Sequence, residues 1–344
     1  MNILYPKPIQ KGDKIAISAF SSGVHEGMHH LVIKTKTYLE KLGYVVEIGE
    51  TVWTQSKGRS ASVEKRLNEF MNFWKDDSVA AIIPPWGGNF ALDLIKAVDW
   101  VSLRETEPKW VLGYSDISTF NFMLSTKGRI ASAHGPNIID LSFQEWDDVT
   151  KGWLGALTTK HGDVFEQHAS EYYQINWPAS DTEEDVQFNL NQPTKWKCAL
   201  PNRQSEFSGR LLGGCLNTIR NLIGTSQDHI NSLIDETKFS EGIVWYLECT
   251  NMDTANVYQS LWQMREAGWF DNIKGVMFGR IDDCKQYQDF TIQQAFKDIF
   301  SEFDIPVLYD LDIGHFPPQM TLINGGFAEV VHSGDHGLVR TTLL

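Results

Sequence analysis

The chain has 344 residues, more than one hydrophobic core usually serves, so two domains are expected. Thirty basic residues against forty-four acidic ones give a formal charge of −14, a sign that repels phosphate backbones and anionic lipid surfaces. Binding to a nucleic acid polymer or a membrane is therefore not expected, although a local basic patch would still admit a small anionic ligand. Cys198, Cys215, Cys249 and Cys284 form no C-x-x-C pair, which gives a thiolate zinc site or redox motif little support, and a chain this long needs no disulfide framework. The opening "MNILYPKPIQKGDKI" has no long apolar run and no later stretch approaches a membrane span, so a soluble cytoplasmic protein is expected.

In chain order, "KIAISAF" (14–20) reads as a strand, and a Ser/Gly turn leads to a helix through "LVIKTKTYLEKLG". "YVVEIG" (44–49) is a second strand and "SVEKRLNEFMNFWKD" (62–76) a second helix. "SVAAIIPPWGG" (78–88) is a third strand, ending in prolines and glycines, with "ALDLIKAVDW" helical after it; "KWVLGYS" (109–115) is a fourth, with "ISTFNFMLSTKG" as its helix. Strands alternating with helices of this length predict a parallel, doubly wound α/β domain over 1–160.

Between about 160 and 208 the periodicity dissolves into aromatics, acids and prolines. Trp177 and Trp196 argue against disorder, so 161–208 is expected to be a crossing segment that folds over something. "GRLLGGCLNTIRNLIGT" (209–225) leads from a strand or turn into a helix. "GIVWYLE" (242–248) and "IKGVMFGR" (273–280) are strands on either side of a helix over "ANVYQSLWQMREAGWF". "IPVLYDLDIGH" (305–315), "FAEVVHS" (327–333) and a final "GLVRTTLL" make 209–344 a β-rich α/β domain of different topology.

Ligands of open parallel sheets bind beyond the carboxyl ends of the strands, and four such ends carry chemistry here. Gly87 and Gly88 end the third strand, Ser115 the fourth; Glu248 ends "GIVWYLE" and His315 follows "PVLYDLDIG". A serine nucleophile needs a base, an acid that orients the base, and backbone N–H groups aimed at a developing oxyanion. The glycine pair and the N–H of Asp116 suit the last role. Against this, "GYSDI" lacks the second glycine of a G-x-S-x-G elbow, and a serine at a strand–helix turn is commonly only a cap. His315 is braced by Gly314, Pro317 and Pro318, with His134 in "SAHGPN" as its competitor; Glu248, Asp310 and Asp312 are all candidate acids. "HEGMHH" (25–30) lacks acidic or thiolate neighbours at metal-ligand spacing, and "LLGGCLN" lacks the lysine of a phosphate-binding loop.

"PPWGGNFALDLI", "GYSDIS", "GRLLGGCLNTI", "YLE" and "GHFPPQMTLINGG" together resemble the serine peptidase family of the LD-carboxypeptidases and the microcin C self-immunity peptidases, over nearly the whole chain. The resemblance implies Ser115 as nucleophile, His315 as general base and Glu248 as the carboxylate behind it, with Gly88 and Asp116 supplying the oxyanion N–H groups. It also implies an active site between the two domains, a homodimer, and no metal or cofactor. Gly87, Asn217, Trp177 and Trp196 are the substrate-binding candidates, the tryptophans as stacking platforms for a nucleotide-like leaving group. Trp86 before the glycine pair and Asn89 after it lean toward the self-immunity branch, whereas "GHFPPQMTL" is close to carboxypeptidase wording. The expected substrates are a murein L,D-peptide or a peptidyl-aminoacyl nucleotide. The competing readings are a non-catalytic small-ligand module, with Ser115 capping an anion-binding helix, and an esterase.

Overall fold

Four short aliphatic runs of the first half pair as one parallel sheet: β1 (Lys14–Ile17), β2 (Val45–Ile48), β3 (Val79–Ile82) and β4 (Trp110–Val111), in the order β2-β1-β3-β4. The computed structural model describes residues 3–143, 145–175, 188–200, 206–235 and 241–344. Alternation along β1 sends its side chains to both faces of the sheet. Ile15 and Ile17 pack with Leu31, Val32 and Leu39 of α1 (His29–Lys41). Ala16 belongs instead with Phe70, Phe73 and Trp74 of α2 (Val63–Lys75) and Phe120 further along the chain. Helices therefore cover both faces, as a doubly wound sheet requires. The Ser62 hydroxyl caps α2 by accepting the Lys65 N–H. After β3 come α3 (Leu92–Ile95) and, after β4, α4 (Ile117–Thr126).

The second half builds an eight-stranded mixed sheet in the order β6-β16-β15-β10-β11-β12-β13-β9. Its centre is parallel: β10 (Glu206–Cys215), β11 (Ile243–Glu248), β12 (Ile273–Gly279) and β13 (Val307–Leu311). Its flanks are antiparallel, with β15 (Phe327–Ser333) and β16 (His336–Thr342) on one side. The outermost strands come from the stretch read as a crossing segment: β6 (Val164–His168) pairs with β16, and β9 (Lys197–Cys198) with β13. Short strands at sheet edges carry little periodicity, which is why that stretch looks irregular in sequence.

Two features join the halves. β5 (Ser132–His134) pairs antiparallel with β14 (Leu322–Asn324), placing His134 opposite Leu322. Helix α4 is buried at all ten positions and lies against β10, and its Phe122 stacks on Trp269 at 5.2 Å. Among the described residues no helix is long and apolar enough to cross a membrane.

Arg66 of α2 is fully buried; its guanidinium donates to the Phe20 and Phe90 carbonyls at 2.7 and 3.0 Å and pairs with Asp93 at 3.2 Å. It thus holds the loops after β1 and β3 against each other. Replacing Arg66 by Met orphans both carbonyls and is expected to lower the unfolding free energy in urea by about 3 kcal/mol. A loss below about 1 kcal/mol would show that these loops are held by other contacts.

Candidate active site

Ser115 sits between β4 and α4 with φ of 60°, a left-handed conformation that a residue with a Cβ adopts only under constraint. The backbone strain turns its hydroxyl out of the sheet end, as a strand–turn–helix elbow does, although the second glycine of that motif is absent. The space beside it depends on Gly87: a Cβ there would lie 2.8 Å from the Ser115 Cβ and Oγ. Gly88, at φ of 142°, presses on the Ser21 and Ser22 hydroxyls, where a side chain would collide. The N–H groups of Gly88 and Asp116 donate to no protein acceptor among the described residues. The Asp116 carboxylate meanwhile accepts the Ser21 hydroxyl at 2.5 Å and the Ala91 N–H at 2.8 Å, tying the glycine loop to the elbow. Burial pushes the Asp116 carboxyl up, and these hydrogen bonds oppose the shift.

The other two groups arrive from the second half. His315 Nε2 is 3.1 Å from Ser115 Oγ, and His315 Nδ1 is 2.8 Å from Glu248 Oε2. Glu248 ends β11 opposite Cys215 of β10, and only 1 % of it is exposed. It fits because Gly314 is a glycine: at φ of 97°, a Cβ there would meet Glu248 at 2.7 Å. Burial opposes both charges of the pair, yet the Coulombic attraction and hydrogen bond between them outweigh it. The Glu248 carboxyl is held below its ordinary range and the His315 imidazole above its own. The Tyr114 ring meets the His315 ring edge-on at 5.0 Å.

The loop carrying His315 is clamped from behind. Buried Arg280 donates to the Phe316 and Pro318 carbonyls, each at 2.9 Å, and pairs with buried Asp312. Asp312 also accepts the Trp196 indole N–H at 2.8 Å. Trp196 is therefore not a stacking platform; it is 1 % exposed and belongs to the core of the second sheet. Trp177 lies outside the described residues. The Asn217 amide donates to the Thr250 carbonyl at 2.9 Å and accepts the Thr250 N–H at 3.1 Å, fixing the turn at Thr250–Asn251 that borders the cleft.

Of the competing acids, Asp310 pairs with Lys197 at 2.8 Å and Asp312 with Arg280, so neither reaches His315. His134 lies in the protein interior, its Nδ1 3.3 Å from the Ser118 hydroxyl; burial pushes its pKa down to about 4. The "HEGMHH" imidazoles go to separate partners: His25 meets Trp86 edge-on at 5.7 Å, and His29 donates to the Val24 carbonyl at 2.9 Å.

Ser115 and His315 open onto a cleft of about 610 Å³ lined also by His25, Trp86, Asp140 and Asn251, among others, with Glu248 buried behind the imidazole. Sequence reasoning missed His25, Asp140 and the Thr250–Asn251 turn as cleft residues. "HEGMHH" was a signal for the first, and Asn217 for the turn it grips; Asp140 stands in no motif. The arrangement can polarise a hydroxyl, accept its proton, and offer two N–H groups to an oxyanion. In a histidine titration by NMR, His315 is expected to titrate above pH 6.5 and His134 near pH 4. Glu248→Gln, which removes the charge favouring imidazolium, should lower the His315 midpoint by about one pH unit or more; an unmoved midpoint would contradict the pairing.

The chain matches two family models: the LD-carboxypeptidase N-terminal domain over residues 15–135 and the LD-carboxypeptidase C-terminal domain over 208–330. It is 23% identical over 329 residues to a putative carboxypeptidase of Vibrio cholerae, covering 92% of each chain. Among solved structures, an MccF-like protein from Bacillus anthracis superposes with a TM-score of 0.82 at 21% identity, covering 98% of this chain and 99% of that one. MccF in complex with glutamyl sulfamoyl guanosine also superposes with a TM-score of 0.82, at 18% identity over 99% and 98% of the two chains. With both halves matched by its models, this chain belongs to the LD-carboxypeptidase family of serine hydrolases, and it shares its fold end to end with the MccF-like proteins.

Proposed function

We propose that the chain is a serine peptidase of carboxypeptidase type, with Ser115 as nucleophile, His315 as general base and then acid, and Glu248 as the carboxylate that orients the imidazole. The observation that carries the reading is the continuous line from Ser115 Oγ to His315 Nε2 at 3.1 Å and from His315 Nδ1 to Glu248 Oε2 at 2.8 Å. Ser115 Oγ attacks the amide carbon as His315 Nε2 takes its proton. The charge that develops on the carbonyl oxygen is met by the N–H groups of Gly88 and Asp116. His315 returns the proton to the leaving nitrogen, the C–N bond breaks, and an ester to Ser115 remains. Water then attacks that ester with His315 again as base, releasing the acid and restoring the serine hydroxyl. Glu248 is suited to stabilise the imidazolium in both steps, because it is buried and held as a carboxylate.

The substrate class is a short peptide amide, in first place an L,D-peptide losing its terminal D-residue. A peptidyl-aminoacyl nucleotide is the second reading, favoured by the indole of Trp86, which lines the cleft and is fixed by its N–H to the Gly23 carbonyl at 3.0 Å.

The test compares a murein tetrapeptide with a peptidyl-adenylate analogue under one set of conditions, for the parent chain and Ser115→Ala. The parent should hydrolyse one of them, and the variant should lose about 10⁴-fold or more in kcat while keeping its fold by circular dichroism. Turnover that survives in Ser115→Ala would overturn the catalytic assignment and leave Ser115 a helix cap. Rapid cleavage of aryl esters with neither amide touched would make the protein an esterase.

A further inference from the structure

Asp140 differs from every other described residue lining the cleft: it is a buried carboxylate with no ion-pair partner among the described residues. It lies in the 3-10 turn Ile139–Leu141, is 6 % exposed, and borders the same cleft as Ser115 and His315. Its Oδ2 accepts the Asn137 N–H at 2.7 Å, a bond internal to the turn. Its Oδ1 has no hydrogen-bond or ion-pair partner among the described residues. No lysine or arginine is among the described residues lining the cleft; its other polar groups are neutral amides and hydroxyls, with the imidazoles of His25 and His315.

A buried carboxylate that stays unpaired is expensive unless something positive arrives. Burial pushes the Asp140 carboxyl up to about 7, and the Asn137 N–H and the His315 imidazole only partly counter this. Among the described residues no cation pairs with it directly, which leaves room for one on the wall of the pocket where substrate must sit. A role confined to tuning His315 would act alike on all substrates, whereas an ammonium site would discriminate between them.

We propose that Asp140 is a specificity determinant that receives a protonated amine carried by the residue whose carbonyl Ser115 attacks, so that substrates with a free amine there are preferred over blocked ones. The proposal rests on the reading of this cleft as a serine hydrolase site. The ammonium replaces its water shell with the Asp140 carboxylate, a charge-assisted hydrogen bond stronger than one between neutral groups. Among the described residues no ion pair of Asp140 has to be broken first.

The probes are L-lysyl-D-alanine and its derivative with both amines acetylated, assayed at pH 8, where Asp140 is ionised. The parent chain is expected to favour the free-amine peptide at least tenfold in kcat/KM, chiefly through KM. In Asp140→Asn, of nearly equal shape, that ratio should collapse toward one, and Asp140→Glu should retain part of it. A ratio near one in the parent, or an undiminished ratio in Asp140→Asn, overturns the proposal whatever the absolute rates. If neither probe is turned over, the hydrolase reading is what fails for this peptide class. Calorimetric dissociation constants of the two probes with the parent then test the ammonium site directly, with the same tenfold difference expected and equal affinities overturning it.

Discussion

The burial of α4 between the two sheets is the constraint on which the site depends. Ser115 precedes this helix by two residues and His315 follows it by nearly two hundred, so their 3.1 Å approach is a long-range consequence of packing. An apolar helix enclosed on all sides has few positions at which its surface stays filled, which fixes the elbow relative to the second sheet. The β5–β14 pairing adds a hydrogen-bonded register on the far side, so the loop carrying His315 is anchored to the half that carries the serine. Neither half alone holds the site.

Around that frame, close approaches are made by leaving out side chains. Gly87 leaves room beside the Ser115 hydroxyl and Gly314 leaves room beside Glu248; a methyl group at either would collide with that side chain. Charge is handled by pairing. The one buried carboxylate behind the imidazole meets His315, Arg280 answers Asp312, and Arg66 answers Asp93. Breaking such pairs is severe because the survivor is left charged in a poorly solvating interior. Asp140 is the exception to that pattern in the cleft.

Much of the frame was legible in sequence. The four alternating strand–helix units of the first half, and the span of β15 to the residue, follow from periodicity and punctuation. Parallel-sheet geometry puts Gly87–Gly88 near Ser115 at one sheet's edge and Glu248 near His315 at the other's, whereas the meeting of the two pairs across the halves was implied only by the family resemblance. What failed has physical causes. β6 and β9 are short edge strands whose pattern is set by one neighbour only. Trp196 looked available because aromatic content says nothing of exposure, and its indole is committed to Asp312. The choice among Glu248, Asp310 and Asp312 needed the partners Lys197 and Arg280, which lie far off in the chain.

The central claim is that Ser115 becomes acylated, and covalent trapping tests it most directly. The chain would be incubated with a fluorophosphonate, digested, and its peptides weighed by mass spectrometry. One adduct is predicted, on Ser115, forming far more slowly in His315→Ala because the hydroxyl then has no base. Labelling at another serine, or an adduct on Ser115 that forms equally fast without His315, would contradict the account.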